Sequence, residues 1–334
     1  MLFLLMAIAV ADIAVGDERS GFPRPAGFWP LTKRYHGLDV SGNGNHALVQ
    51  DVDFNAGIYG IGEGSAKFAG TVSSFIEIPN NGALNVNSFT WLAYVRLRHM
   101  SDEAAPLFDF RRSEGNNVQG IGIWAIMGIF YICPVMDETT CRSRAYSLPV
   151  LTDAAWVYAG FTYDAQTGMT RMWVDGVEAG HFQHTPQLNL TTDTPVRIGA
   201  RHSSDRDAWY FFGALRCVQW YGVALSAEQI QQTVNLCREP VHGAHFKVHR
   251  GYAMATDSPL TYMYRSEQNI HCLIQCSALC SRDYNCLSVN YLEATSTCEL
   301  SKYSTVYNSS LQLTRRSEGE VHAELLHPVN MLSD

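Results

Sequence analysis

Short runs rich in β-branched and aromatic residues recur between Phe28 and Leu236, at Ser74–Ile78, Phe89–Leu97, Trp156–Tyr163, Arg171–Val174 and Val196–Ile198. Turn chemistry separates them. Asp164-Ala165-Gln166-Thr167-Gly168 parts two runs, and Asp175-Gly176 supplies a tight hairpin turn. Many short strands punctuated in this way predict an all-β sandwich or jelly roll. The uncharged stretch Gly120–Met136 has three glycines and a proline and is rich in Ile, Phe and Tyr. It is short for a membrane helix and reads as two buried strands broken near Gly128. One helix is expected late in this region, over Ala227–Leu236, with Ser226 as its cap and Glu228 near its positive end.

The pattern changes from about Glu239. Cysteine becomes dense, and His271–Ser281 is compatible with a helix carrying Cys272, Cys276 and Cys280 on one face. A β-like segment, Leu287–Tyr291, follows. Residues 314–334 show no clear period and are expected to be a tail. The expected organisation is therefore a leader at 1–16, a linker at 17–27, a β-domain at 28–238, a second module at 239–313 and the tail.

Charge and cysteine use narrow the function. The formal net charge is −8 and the pI about 5.8, with no basic stripe, so a nucleic-acid partner is not expected. The apolar run Leu2–Ala11, followed by Ala14-Val15-Gly16, fits a signal peptide cleaved before Asp17, although no basic residue precedes it. No transmembrane span is expected. The chain has nine cysteines, five of them between Cys272 and Cys298, which suits an oxidising, secreted context. Asn189-Leu190-Thr191 and Asn308-Ser309-Ser310 are sequons for N-glycosylation.

An ordered set of segments carries a resemblance. It runs through Ser41-Gly42-Asn43-Gly44-Asn45-His46, Gly60–Gly70, Phe75-Ile76-Glu77-Ile78-Pro79, Phe89-Thr90-Trp91, Trp156–Asp164, Met172–Gly176, Arg197-Ile198-Gly199, Phe212–Leu215 and Ala224–Ile230. As a set it resembles a laminin-G-like, concanavalin A-like domain. The resemblance implies two stacked antiparallel sheets with ligand loops at one rim, and binding of glycans, matrix proteins or receptors. Leu215-Arg216-Cys217 departs from the acidic pair found there in many relatives.

The second module has the spacing Cys276-x3-Cys280-x5-Cys286-x11-Cys298, with Leu287-Ser288-Val289-Asn290-Tyr291 and Cys298-Glu299-Leu300 around it. This resembles the PAN/apple domain. The resemblance implies an α+β module, a helix laid on an antiparallel sheet, with disulfides Cys276–Cys298 and Cys280–Cys286. A module of this size has a marginal core and needs such staples. Cys133–Cys141 is expected to close a short loop, and Cys217–Cys237 the end of the first domain. Cys272 is left over. It is available to link two chains, or to replace Cys217 as the partner of Cys237.

No nucleophile elbow, zinc-protease motif or P-loop occurs, and no paired-carboxylate glycosidase strand. The expected function is that of a secreted, non-catalytic recognition or adhesion protein for extracellular glycans or proteins. A soluble defence or mucus lectin is the alternative among binders, and a glycan-processing hydrolase is the alternative of another class. The expected binding loop is Arg201–Tyr210, with Arg201, His202, Asp205, Arg206, Asp207 and Trp209 as contacts: sugars need aromatic faces and forked donors. Asp39, Asn43 and Asn45 form a candidate calcium loop, with calcium the only cofactor considered. His242, His245 and His249 have metal-like spacing but read as linker and surface residues.

Overall fold

The computed structural model describes residues 22–55, 64–98, 105–114, 117–126, 129–135, 146–149, 155–201, 209–236, 245–254, 263–283, 285–307, 311–315 and 319–326. The first module holds β1 (Gly27–Trp29), β2 (Leu48–Gln50), β3 (Val52–Asn55), β4 (Ser65–Ala69), β5 (Phe75–Ile78), β6 (Phe89–Leu97), β7 (Ala105–Glu114) and β8 (Asn117–Ile126). It continues with β9 (Ile129–Val135), β10 (Tyr146–Pro149), β11 (Val157–Tyr163), β12 (Met169–Val174), β13 (Val177–Gln183), β14 (Val196–Ile198), β15 (Phe212–Tyr221) and helix α1 (Ala227–Leu236). The strands form two antiparallel sheets. The first has the order β13-β12-β11-β6-β15-β4-β3, with β1 also on β15, and the second has the order β10-β9-β8-β7-β14-β5-β2. This is the expected mainly-β sandwich, and Gly120–Met136 does form two paired strands, β8 and β9.

Local chemistry explains the joints. Asp175 and Gly176 have φ of 51° and 81°, the left-handed pair a two-residue hairpin between β12 and β13 requires. Ser226 Oγ accepts the Gln229 N–H at 3.3 Å while Gln229 Oε1 accepts the Ser226 N–H at 2.9 Å, a reciprocal cap that starts α1.

The two sheets differ on their outer faces. Trp91, Ala93 and Val95 of β6 point into the inter-sheet core with Phe108, Phe130, Phe161 and Trp220. The alternate residues Leu92 and Tyr94, with Tyr158 and Trp173, belong to a second buried cluster outside the first sheet. Helix α1 joins that cluster through Ile230 and Leu236, and the second module through Leu287 and Tyr307. Both faces are covered at the middle of this sheet, so every residue of β11 is buried, whereas the edge strand β13 stays largely exposed. In the second sheet β5 and β14 keep the polar alternation of a solvent-facing surface, whereas residues 105–110 of β7 and 120–125 of β8 are buried. Ile76, Ile78, Val196 and Ile198 are fully buried, whereas Phe75, Glu77 and Arg197 between them are half-buried.

The second module contains β16 (His245–Arg250), β17 (Tyr252–Met254), β18 (Met263–Glu267), helix α2 (Leu273–Arg282), β19 (Ser288–Leu292), β20 (Thr297–Ser301), β21 (Leu313–Arg315) and β22 (Glu320–Leu326). Its main sheet has the order β16-β22-β19-β20-β18. Helix α2 lies on it, and disulfides join Cys276 to Cys298 and Cys280 to Cys286, the pairs the family resemblance implies.

Two expectations need correction. Glu320–Leu326 is not tail: as β22 it pairs with both β16 and β19 near the centre of the sheet. Its alternation was hidden because His322 and Glu324, between Val321, Ala323 and Leu325, are themselves fully buried. Cys272 does not share the face of Cys276 and Cys280. Its backbone is extended at φ −157°, α2 begins one residue later, and its thiol is free and exposed.

Candidate ligand-binding face

The open sheet brings one face of three adjacent strands together. In register, Glu77 of β5 lies opposite Arg197 of β14, and Arg197 opposite Asp109 of β7. Strand alternation sends all three outward, because their neighbours Ile76, Ile78, Val196, Ile198, Phe108 and Phe110 fill the core. Arg197 Nε donates to Glu77 Oε2 at 2.8 Å, and its guanidinium lies 4.1 Å from the centre of the Phe75 ring. Charge pairing and ring stacking together hold this side chain in place.

Arg197 also connects the sheet to its rim, where Nη1 donates to the Arg201 carbonyl at 3.4 Å. The strand ends there in a single bridge between Ala200 and Tyr210, and the Arg201 N–H donates to the Trp209 carbonyl at 3.3 Å. These contacts bring Arg201 over the Trp209 ring, 4.7 Å from its centre. Trp209 in turn meets Trp124 of β8 edge to face, with ring centres 5.4 Å apart. Phe211, next but one after Trp209, is fully buried. Trp124 is itself buried and backs Trp209 from below, so the rim carries one half-buried indole and a stacked guanidinium beside an ion-paired arginine. Such a surface offers flat apolar faces to sugar C–H groups and planar donors to hydroxyl or carboxylate oxygens.

Of the expected contacts, the structure brings together Arg201 and Trp209. His202, Asp205, Arg206 and Asp207 lie outside the described residues. Phe75, Glu77, Asp109, Trp124 and Arg197 were not anticipated. Their signal was present in part, since Phe75-Ile76-Glu77-Ile78 and Val196-Arg197-Ile198 alternate with their polar members outward.

The candidate calcium loop has a different use for its acid. Asp39 is fully buried, with Oδ1 accepting the Phe28 and Ser41 N–H groups and Oδ2 the Asn45 N–H, each at 2.9 Å. Asn43 and Asn45 donate through Nδ2 to backbone carbonyls of Pro25 and Ala26. The carboxylate thus anchors the loop to β1. Among the described residues, no group of three His, Cys, Asp or Glu is placed to hold a metal. His249 instead bonds Glu324, while His242 lies outside the described residues and nothing is described of the His245 side chain.

Asn189 is exposed in a turn closed by the Thr191 N–H and hydroxyl on its own Oδ1, at 3.2 and 2.6 Å. Asn308 lies outside the described residues. Cys217 is disulfide-bonded. Its expected partner Cys237 lies outside the described residues, as does Cys141, the expected partner of Cys133.

Comparison with known proteins agrees with this architecture. Residues 69–231 match the model of the concanavalin A-like lectin/glucanases superfamily, and residues 237–325 match that of the PAN domain. The chain thus carries a concanavalin A-like module followed by a PAN module. No curated protein matches it. Among solved structures, domain 4 of AbnA, an extracellular arabinanase from Geobacillus stearothermophilus in complex with arabinotriose, is 14% identical with a TM-score of 0.48. That match covers 63% of this chain and 98% of the other. The binding domain of botulinum neurotoxin DC in complex with SialylT is 12% identical, with a TM-score of 0.47, over 64% of this chain and 52% of the other. A mutant Trypanosoma rangeli sialidase displaying trans-sialidase activity is 16% identical, with a TM-score of 0.45, over 63% of this chain and 32% of the other.

Proposed function

We propose that this chain is a secreted, non-catalytic recognition protein that binds extracellular glycans at the partly exposed β5–β14 side of its second sheet and the rim beside it. The observation that carries the reading is the rim cluster of Arg201, Trp209 and Trp124, tied to the sheet through Arg197. Aromatic faces and pre-positioned guanidinium groups are the parts saccharide recognition uses. The disulfide-stapled PAN module and the exposed sequon at Asn189 support an oxidising, glycosylating route, and among the described residues no helix is long and apolar enough to cross a membrane. Within this reading, a soluble defence or mucus lectin is one form such a protein takes.

One observation favours a second reading, a glycan hydrolase. Glu77 and Asp109 flank Arg197 on the same face, two strand spacings apart, or about 10 Å. Binding is the better-supported use of this face. Glu77 is already bonded to Arg197, and Asp109 is only 2% exposed, so neither stands open to a glycosidic oxygen. The test is an array of neutral, sialylated and sulfated glycans probed with the protein purified from culture medium, alongside incubation of the bound glycans in solution. Retention of a defined glycan set, recovered uncut, is expected. Cleaved products would replace the binding reading with the hydrolytic one, and an empty array would oppose glycan recognition.

A further inference from the structure

The segment between β1 and β2 places Arg34 and Tyr35 against the second module. Two tight turns shape it: the His36 N–H bonds to the Thr32 carbonyl and the Leu38 N–H to the Tyr35 carbonyl, both at 2.7 Å. Arg34 is 7% exposed and Tyr35 6%. Arg34 Nη1 donates to the carbonyls of Cys286 at 2.5 Å and Cys280 at 3.3 Å, and Nη2 donates to that of Ser281 at 2.8 Å. Cys280 and Ser281 lie in the last turn of α2, and Cys286 is disulfide-bonded to Cys280.

The last carbonyls of a helix lack intrahelical partners and carry the negative end of its dipole. A buried guanidinium meets both needs, because its planar fork reaches several carbonyls at once and its charge opposes the dipole. Here the Cys280 carbonyl also accepts the Asp283 N–H at 3.2 Å, and the guanidinium that completes the cap comes from the other module. Tyr35 adds an edge-to-face contact with Tyr307 at 5.7 Å, and the Tyr307 hydroxyl donates to the Leu325 carbonyl of β22. Leu287 and Tyr307 also share the buried cluster that covers the first sheet.

We propose that the second module relies on the first to complete it. Arg34 caps α2 from outside the module, the two modules unfold as one unit, and this docking closes the outer face of the first sheet. Ligand must then approach the chain at the second sheet or at exposed surfaces of the PAN module.

Hydrogen exchange on the full chain tests the cap. Arg34→Met keeps the aliphatic stem and removes the donors. Peptides spanning Leu273–Leu287 are expected to exchange about tenfold faster or more. Unchanged exchange over Leu273–Leu287 overturns the proposal. Should Arg34→Met not fold, Arg34→Lys serves instead. A lysine retains charge but not the fork, so faster exchange over the same peptides is expected, and wild-type rates there count against the cap. Calorimetry of the wild-type chain needs no variant: one cooperative transition is expected, and two well-separated transitions contradict coupled unfolding.

Discussion

Two buried carboxylates show how little a residue's type says about its task. Alternating side-chain oxygens make Asp39 a candidate calcium ligand in the sequence, and in the structure it receives three backbone N–H groups and fixes the loop to β1. Asp39→Ala is expected to lower stability by roughly 2–4 kcal/mol, because it strands those donors. Thermal melts should show the same loss in millimolar calcium and in EDTA; a melting temperature raised by calcium and dependent on Asp39 would restore the cation site. Glu324 is the second case. Burial pushes its carboxyl up, but the His322 ring 3.6 Å away, with hydrogen bonds from Thr305 and Ser304, outweighs burial and holds it down to about 2, against an ordinary value of 4.5. A depressed carboxylate stabilises the fold fully above the unfolded value, and the contribution is lost as pH falls from about 4.5 to about 2. Urea unfolding of wild type and Glu324→Gln from pH 7 to pH 2 should therefore converge at the acid end, with the variant weaker by roughly 2–3 kcal/mol at pH 7. Parallel curves across that range would show that the carboxylate charge is not what the module needs.

At the level of elements, legibility followed burial on one face or two. Strands with one wet face, such as β5 and β14, announce themselves by alternation, and the same alternation marks Glu77 and Arg197 as outward. The helix α1 was readable from Ser226, though the returning bond from Gln229 was not anticipated; Ser226→Ala should cost about 1 kcal/mol by thermal melt, and a change below a few tenths would deny the cap its role. The strand β22 was missed because its polar positions face a buried network rather than water, which erased the contrast the reading depends on. The cysteine spacing of the second module was more informative, since the family resemblance it carries implies both the fold and the two staples that the structure shows. Removing one staple as Cys276→Ala with Cys298→Ala should destabilise that module by roughly 2–5 kcal/mol, whereas Cys272→Ser, at an exposed free thiol, should leave unfolding within about 0.5 kcal/mol of wild type. Alkylation of the native, non-reduced protein should label Cys272 and neither Cys276 nor Cys298; labelling of the latter pair would contradict the pairing.

For the whole molecule, the two sheets have divided the work. The centre of one is buried on both faces, by the inter-sheet core and by α1 with the PAN module, while β14 and the rim of the other leave Arg197, Arg201 and Trp209 partly exposed. The proposed binding rim was partly visible in the sequence as a polar loop ending in aromatics. The part contributed by Trp124 and Arg197 was not, because it depends on register between strands far apart in the chain. The central claim is that this face recognises glycans, and the most direct measurement compares glycan-array binding by the wild-type protein with that of Arg201→Ala combined with Trp209→Ala. Both side chains are only partly buried, so the variant is expected to keep its circular dichroism and melting temperature while losing at least about tenfold in affinity for every glycan the wild type retains. A folded variant that binds the same glycans with wild-type affinity would contradict the account and move recognition to the PAN module.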